Sequence, residues 1–174
     1  MSTLAPAELS RQLRLGHSPD LNRRRWIIGL SLVTVAAGQI VTLYQTGVIS
    51  HLPDPPLSVF DSDKVDASDY GYKRLQMPDA PAMIVTGGIT TILASAGGQE
   101  RATTLPWLPV ALLGKTLIDL VTNVQLGREE WQENKKLCFY CQASTVAATA
   151  AAVLAVPEAI KAFKTLFGKK KAAA

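Results

Sequence analysis

Four apolar runs alternate with polar stretches along the chain. They cover residues 26–49, 82–98, 105–126 and 137–156. A helix rises about 1.5 Å per residue, so the first, third and fourth runs are long enough to cross a bilayer core about 30 Å thick, and the second is only just long enough. The pattern predicts an all-α membrane protein, a four-transmembrane-helix bundle over residues 26–160.

Polar segments flank this predicted bundle. Residues 1–25 contain no apolar run that would form a signal peptide, and they end in three consecutive arginines. The loop 50–81 is acidic and contains prolines, which oppose a regular helix at its start. Residues 161–174 are basic and form a predicted cytoplasmic tail.

The distribution of Lys and Arg predicts the orientation. Basic residues favour the cytoplasmic side of a membrane, and here they collect at residues 23–25 and 161–171. Both termini are therefore expected to be cytoplasmic, which requires an even number of spans. The loop 50–81 and the start of the fourth helix are then expected to face outward, on the side of the membrane away from the cytoplasm.

Composition agrees with a membrane protein. Hydrophobic residues make up 48% of the chain and charged residues 18%. The net charge of +4 is compatible with nucleic-acid binding, but the basic residues lie mainly at the two ends and no nucleic-acid motif is present. We therefore expect membrane lipid, and not nucleic acid, as the partner of the basic segments.

The chain contains two cysteines, Cys138 and Cys141, at the start of the fourth apolar run. Residues three apart on a helix share a face, with Cα atoms about 5 Å apart, a distance that a disulfide accepts. Asn134 is a good N-cap residue and predicts the helix start. The helix dipole, Lys135 and Lys136 would then favour the Cys138 thiolate. The pattern predicts a redox-active pair.

Three other interpretations of the cysteines were considered. A zinc site needs further ligands, and the remaining candidates, His17 and His51, lie in other segments, so no metal site is predicted. Covalent haem needs a histidine after the second cysteine, where Gln142 stands. An inert structural disulfide stays open as an alternative, although so short a loop would stabilise the fold little.

One polar stripe interrupts the third apolar run. Lys115, Asp119 and Asn123 are four residues apart and lie on one helix face. Charged groups at membrane depth usually face the bundle interior or water. The stripe is either a self-satisfied pair that joins helices, or a group acting near a substrate or in proton movement. The second interpretation corresponds to a proton-conducting unit or a small transporter.

Three motifs together resemble the vitamin K epoxide reductase family. They are Ser62-Asp63-Lys64-Val65 with Ser68 in the loop, Pro78-Asp79-Ala80 before the second run, and Cys138-Phe139-Tyr140-Cys141 at the fourth. The resemblance covers about residues 26–160. It implies a four-helix bundle that holds a quinone, ubiquinone or menaquinone, near the outer membrane face. Because bacterial members are linked to periplasmic disulfide formation, it also implies a plasma (inner) membrane location with the cysteine pair facing the periplasm.

The resemblance also implies roles for single residues. Cys141 would lie next to the quinone and Cys138 would exchange with an incoming thiol. Ser68 would help to hold the loop over the site, and Asp79 stands where the family has an Asn that binds a quinone oxygen. Ser62 occupies the position of a shuttle cysteine, and the loop has no other cysteine. An external thiol would therefore have to reach Cys138 directly.

The functional hypothesis is a quinone-linked membrane thiol–disulfide oxidoreductase. It would oxidise a partner thiol, such as a periplasmic thioredoxin-like protein, through Cys138 and Cys141 and pass the electrons to a membrane quinone. The alternative from another class is a non-catalytic membrane subunit or interaction protein that has the same fold.

Overall fold

The protein is all-helical over the residues that its computed structural model describes, 4–74 and 76–171. Seven α-helices are present in these ranges, with a 3-10 turn at Asp69–Gly71. The helices are α1 (Pro6–Leu15), α2 (Pro19–Gln45), α3 (Ser62–Asp66), α4 (Ala80–Ser95), α5 (Arg101–Thr104), α6 (Trp107–Asn134) and α7 (Phe139–Lys171). The side chains of residues 169–171, and residues 172–174 of the predicted basic tail, lie outside the described part.

Three helices are long and apolar enough to cross a membrane, namely α2, α6 and α7. The fourth predicted span, α4, is apolar but has 16 residues. At about 1.5 Å per residue it is roughly 24 Å long, which is shorter than a typical bilayer core. The membrane character predicted from the sequence is therefore supported, and α4 is a short apolar helix that packs on α2 and α6.

Glycines bring α2 and α4 into close contact. A Cβ added at Gly38 would lie 2.8 Å from the Cβ of Met83, and one added at Gly87 would lie 3.0 Å from the carbonyl oxygen of Ser31. Small residues allow such approaches, which are common between helices in membranes. Because α2 also packs on α7, and α6 packs on α7 and α4, the four helices enclose a common interior.

Two buried arginines hold one end of the bundle, which we call the arginine end (residues 19–24, 93–101 and 158–161). The Arg24 guanidinium donates to the carbonyl oxygens of Ala96, Gly97 and Gly98 at 3.2–3.3 Å. Arg24 belongs to the arginine cluster that predicts a cytoplasmic N-terminus, but its side chain is also a buried cap for the end of α4.

Arg101 forms a buried ion pair across this end. Its guanidinium binds both carboxylate oxygens of Glu158 at 2.8 and 2.9 Å and also donates to the carbonyl oxygens of Leu93 and Ala96. At the same end Lys161 of α7 contacts Asp20 of α2 at 2.6 Å. The start of α2, the end of α4 and the second half of α7 therefore meet at the arginine end.

Two helices extend further than the apolar runs predict. Asn134 is the last residue of α6, not the N-cap of the next helix, so residues 127–134, which lie between the third and fourth apolar runs, are helical. The α6 helix ends where Lys135 adopts a left-handed conformation with φ of 54°. The α7 helix continues through Pro157, beyond which the Arg101–Glu158 pair fixes it to the bundle.

Arg101→Met should destabilise the fold strongly. The substitution leaves the Glu158 carboxylate buried without its partner and frees carbonyl groups of α4, and such losses cost about 3–5 kcal/mol. The measurement is denaturant unfolding in detergent micelles, followed by circular dichroism. The control is Arg14→Met, since Arg14 is exposed and should change stability by less than about 0.5 kcal/mol. Equal stability of the two variants would contradict the assignment.

Candidate functional site

The cysteine pair lies at the first turn of α7, at the end of the bundle away from Arg24. Because α7 begins at Phe139, Cys138 is the residue just before the helix. Its Sγ accepts the backbone N–H of Cys141 at 3.3 Å, and its carbonyl oxygen accepts the N–H of Gln142 at 3.0 Å. Both cysteines are free thiols. Cys138 therefore caps the helix with sulfur in the place where an oxygen usually stands.

The loop after α2 covers Cys138. The backbone of Leu137 donates to the carbonyl oxygen of Val59 at 3.0 Å and accepts from the N–H of Asp61 at 3.1 Å. Further along, the Tyr140 hydroxyl donates to the Pro53 carbonyl oxygen at 2.9 Å. These bonds fix loop residues 53–62 over the start of α7, and Cys138 is 0% exposed as a result.

Ser62 fastens the same loop to the helix. Its Oγ accepts the backbone N–H of Phe139 at 2.9 Å and donates to Asp54 at 2.6 Å, and its own N–H donates to Asp54 at 2.7 Å. The side chain is fully buried. The position that the resemblance assigns to a shuttle cysteine thus lies directly beside the backbone that follows Cys138, where the serine forms a structural contact.

A carboxylate that the sequence analysis did not single out lies against the thiols. Asp66, the last residue of α3, is buried, and its carboxylate and the two sulfur atoms all lie within 4.8 Å of one another. One of its carboxylate oxygens has no hydrogen-bond partner among the described residues. Burial raises the pKa of Asp66 to about 7. In the sequence, only its position directly after the Ser62–Val65 motif could have indicated that Asp66 belongs to the site.

A second carboxylate reaches the pair from α6. Glu130 is buried, and its Oε2 accepts the backbone N–H of Cys138 at 3.3 Å and the amide of Gln142 at 3.2 Å. Glu130 lies between the third and fourth apolar runs, where the apolar pattern predicts no helix. The Arg, Glu and Gln residues that follow the third apolar run have high helix propensity, which indicates that the helix continues through Glu130.

The surroundings of Cys138 differ from those predicted. Burial raises the pKa of the Cys138 thiol, and the neighbouring Asp66 acts in the same direction. Lys136, which was expected to favour the Cys138 thiolate, donates from its Nζ to the Ser58 carbonyl oxygen at 2.5 Å. The prediction that the helix dipole and the lysines lower this pKa is therefore wrong, because the loop excludes water from the sulfur.

A cavity of about 420 Å³ lies between α2, α4, α6 and α7. Cys141 forms part of its wall and Cys138 lies behind it. The acidic and aromatic part of the wall comprises Asp66, Tyr70, Asp79 and Glu130, and the deeper part includes Ala147, Ala148 and Ala151. The cavity wall is thus mainly apolar, with the carboxyl groups of Asp66 and Glu130 at the end that holds the thiols.

Of the two predicted cofactor-binding residues, one lines this cavity. Asp79 lies on the wall, where its Oδ1 accepts the Gln45 amide at 2.9 Å, and burial raises the pKa of Asp79. Ser68 does not line the cavity. Its hydroxyl donates to the Val65 carbonyl oxygen at 2.6 Å and stabilises the turn after α3. Its contact is therefore local to the loop.

The polar stripe of α6 joins two helices. The Nζ of Lys115 contacts both carboxylate oxygens of Asp119 at 2.5 and 2.6 Å and the Thr86 carbonyl oxygen at 3.2 Å, and Thr90 of α4 donates to Asp119. This agrees with the interpretation of a satisfied pair that connects helices. Asp119 and Asn123 also line the cavity.

Comparison with known proteins identifies one family. The family model described as "Vitamin K epoxide reductase family" matches residues 25–156. No curated protein and no solved structure matches the chain. The matched residues include the loop, the cavity and the cysteine pair, and they cover more than half of the chain.

The raised pKa of Asp66 predicts a pH-dependent stability. Between about pH 4 and pH 7 the folded protein holds a proton on Asp66 that the unfolded chain has lost, so this stabilisation is present below about pH 4 and disappears as the pH rises through about 7. Asp66→Asn, which mimics the neutral acid, should therefore gain stability relative to the unsubstituted protein as the pH rises from about 4 to about 8.

The measurement is chemical unfolding in detergent at both pH values. Asp69→Asn is the matched control, because Asp69 lies in the same loop and is exposed. Its effect on stability should be the same at both pH values. If the effect of Asp66→Asn is also the same at both, Asp66 is ionised throughout and the prediction is wrong.

Proposed function

Since the chain belongs to the vitamin K epoxide reductase family, we propose that it is a quinone-linked membrane thiol–disulfide oxidoreductase. Family membership supports a redox function in a membrane. The observation that carries the finer proposal is the position of Cys141, on the wall of a cavity enclosed by four apolar helices and three residues from a second thiol. An electron acceptor in this cavity would be within reach of a thiol and shielded from water.

The cavity suits a quinone in size and polarity. Small apolar side chains such as Ala147 and Ala151 leave room for a flat ring, and the carboxyl group of Asp66 lies near Cys141. A bound quinone accepts two electrons and two protons. Asp79 would contact a quinone oxygen, and its raised pKa favours the protonated carboxyl that can donate a hydrogen bond.

The reaction divides between the two cysteines. A partner thiolate attacks Cys138 in the disulfide form and breaks the bond to Cys141, and a second partner thiol then resolves the mixed disulfide and leaves a dithiol. The two electrons pass from Cys141 to the acceptor as the Cys138–Cys141 bond forms again. Asp66 and Glu130 lie against this pair and would take up and return the thiol protons.

The partner must approach from the loop side. Cys138 is buried beneath loop residues 53–62, so a periplasmic thioredoxin-like protein or a small thiol would reach it only after the bonds between Leu137 and the loop open. The basic residues Arg24 and Lys161 lie at the opposite end of the bundle. This separation supports a plasma (inner) membrane orientation with cytoplasmic termini and the cysteines facing the periplasm.

Quinone should oxidise the cysteine pair. Purified protein in detergent is reduced, freed of reductant and incubated with ubiquinone or menaquinone. The protein is then denatured, so that the buried Cys138 becomes accessible, and the remaining thiols are labelled with a maleimide reagent of defined mass. We expect both thiols to become resistant to labelling, with one quinol formed per protein. Cys138→Ser is the control, since a single thiol cannot form the internal disulfide. Thiols that stay reduced in the presence of both quinones would refute the proposal.

A non-catalytic subunit is the second candidate. Two observations favour it, namely the complete burial of Cys138 and the serine at position 62, which cannot relay electrons from outside. The two candidates differ in the effect of Cys138→Ser and Cys141→Ser in cells. An oxidoreductase should lose all partner-thiol oxidation in both variants, whereas a subunit should assemble and function at the unsubstituted level.

A further inference from the structure

Three ligand atoms of different chemistry converge at the start of α7. They are the sulfur atoms of Cys138 and Cys141 and a carboxylate oxygen of Asp66, all within 4.8 Å of one another. Cys138 and Asp66 are buried and Cys141 is partly buried. We propose that these three side chains form a Zn²⁺ site in the reduced protein.

The charge balance supports a bound cation. Asp66 is 2% exposed and one of its carboxylate oxygens has no hydrogen-bond partner in the described part of the chain. Buried carboxylates are normally paired, protonated or bound to metal. The cationic groups nearest in the loop are engaged elsewhere, because Lys64 donates to the Asn134 carbonyl oxygen and Arg74 contacts Glu129. A metal ion would complete the coordination of the free oxygen.

The geometry fits zinc after a small closure. Zinc binds thiolate sulfur at about 2.3 Å and carboxylate oxygen at about 2.0 Å, so the ligand atoms of a tetrahedral site lie roughly 3.3–3.8 Å apart. The present separations of up to 4.8 Å therefore require movements of about 1 Å. Rotation of the Asp66 and Cys141 side chains supplies such movements without any change in the helices.

Neighbouring groups complete the site. Glu130 binds the backbone N–H of Cys138 and so holds the first sulfur ligand in place from the α6 side. Cys141 borders the cavity, which leaves the fourth coordination position open to water. Cysteine and histidine alone do not predict a metal site in this sequence, because the third ligand is a carboxylate that the loop brings to the pair.

Zinc binding and disulfide formation exclude each other. Zinc binds both sulfurs as thiolates, so each thiol releases its proton when the metal enters, and the disulfide form has no thiolate to offer. Occupancy by zinc would hold the pair in the reduced state and block its oxidation. The proposed site does not depend on quinone chemistry, because it requires only the reduced cysteines and Asp66.

The experiment is a zinc titration of the full chain in detergent without any quinone. Reduced protein, freed of reductant, competes for Zn²⁺ with a chromophoric chelator, and a parallel titration with Cd²⁺ follows the ultraviolet thiolate-to-metal absorption. We expect one ion per reduced protein and none on protein oxidised with diamide. Asp66→Asn should weaken binding at least about tenfold, since loss of even an outer-sphere partner costs that much.

Asp69→Asn is the matched control and should bind as the unsubstituted protein does. Equal affinity of Asp66→Asn and unsubstituted protein would remove Asp66 from the site, and equal binding by the oxidised form would show that the metal lies elsewhere. If Asp66→Asn loses its helical circular dichroism, Cys141→Ser is the test variant instead. It must reduce the Cd²⁺ thiolate absorption band by at least half. Because quinone is absent, a negative result leaves the proposed function untouched.

Discussion

The attachment of loop residues 53–62 to the start of α7 determines which of the two cysteines is buried and which borders the cavity. Two backbone hydrogen bonds at Leu137 and one from Phe139 to the Ser62 hydroxyl tie the loop to the helix end that carries both thiols. The helix N-terminus needs such partners, since its first N–H groups have none within the helix. Because the loop supplies them, Cys138 is enclosed and only Cys141 borders the cavity.

The rest of the bundle is stabilised by contacts that suit an apolar surrounding. Lipid is as apolar as the helix surfaces, so helix association in membranes depends on close packing and polar links. Here the glycines of α2 and α4 provide close packing. The pair of Lys115 and Asp119 and the buried pair of Arg101 and Glu158 provide polar links in the middle and at the arginine end. A cavity remains between these contacts.

Acidity is the chemical character of this site. Asp66 and Glu130 lie against the two thiols, and Asp79 lines the same cavity. Burial raises the pKa of Asp66 and of Asp79, so both carboxyls stay protonated to higher pH than usual. Neutral carboxyls can donate protons during thiol exchange, and ionised ones can bind a cation together with the thiolates. The same residues thus support the proposed redox cycle and the proposed zinc site, and the redox state of the cysteines decides between them.

The sequence alone determined the helical membrane architecture, the family and the pairing of two thiols at a helix start. Each of these depends on a local sequence pattern. Apolar runs indicate helices, and two residues three positions apart on a helix lie on the same face. Tertiary structure decided the burial of Cys138, the structural use of Arg24 and the approach of Asp66 and Glu130. These depend on which distant segments pack together, and neither periodicity nor charge counting along one segment contains that information.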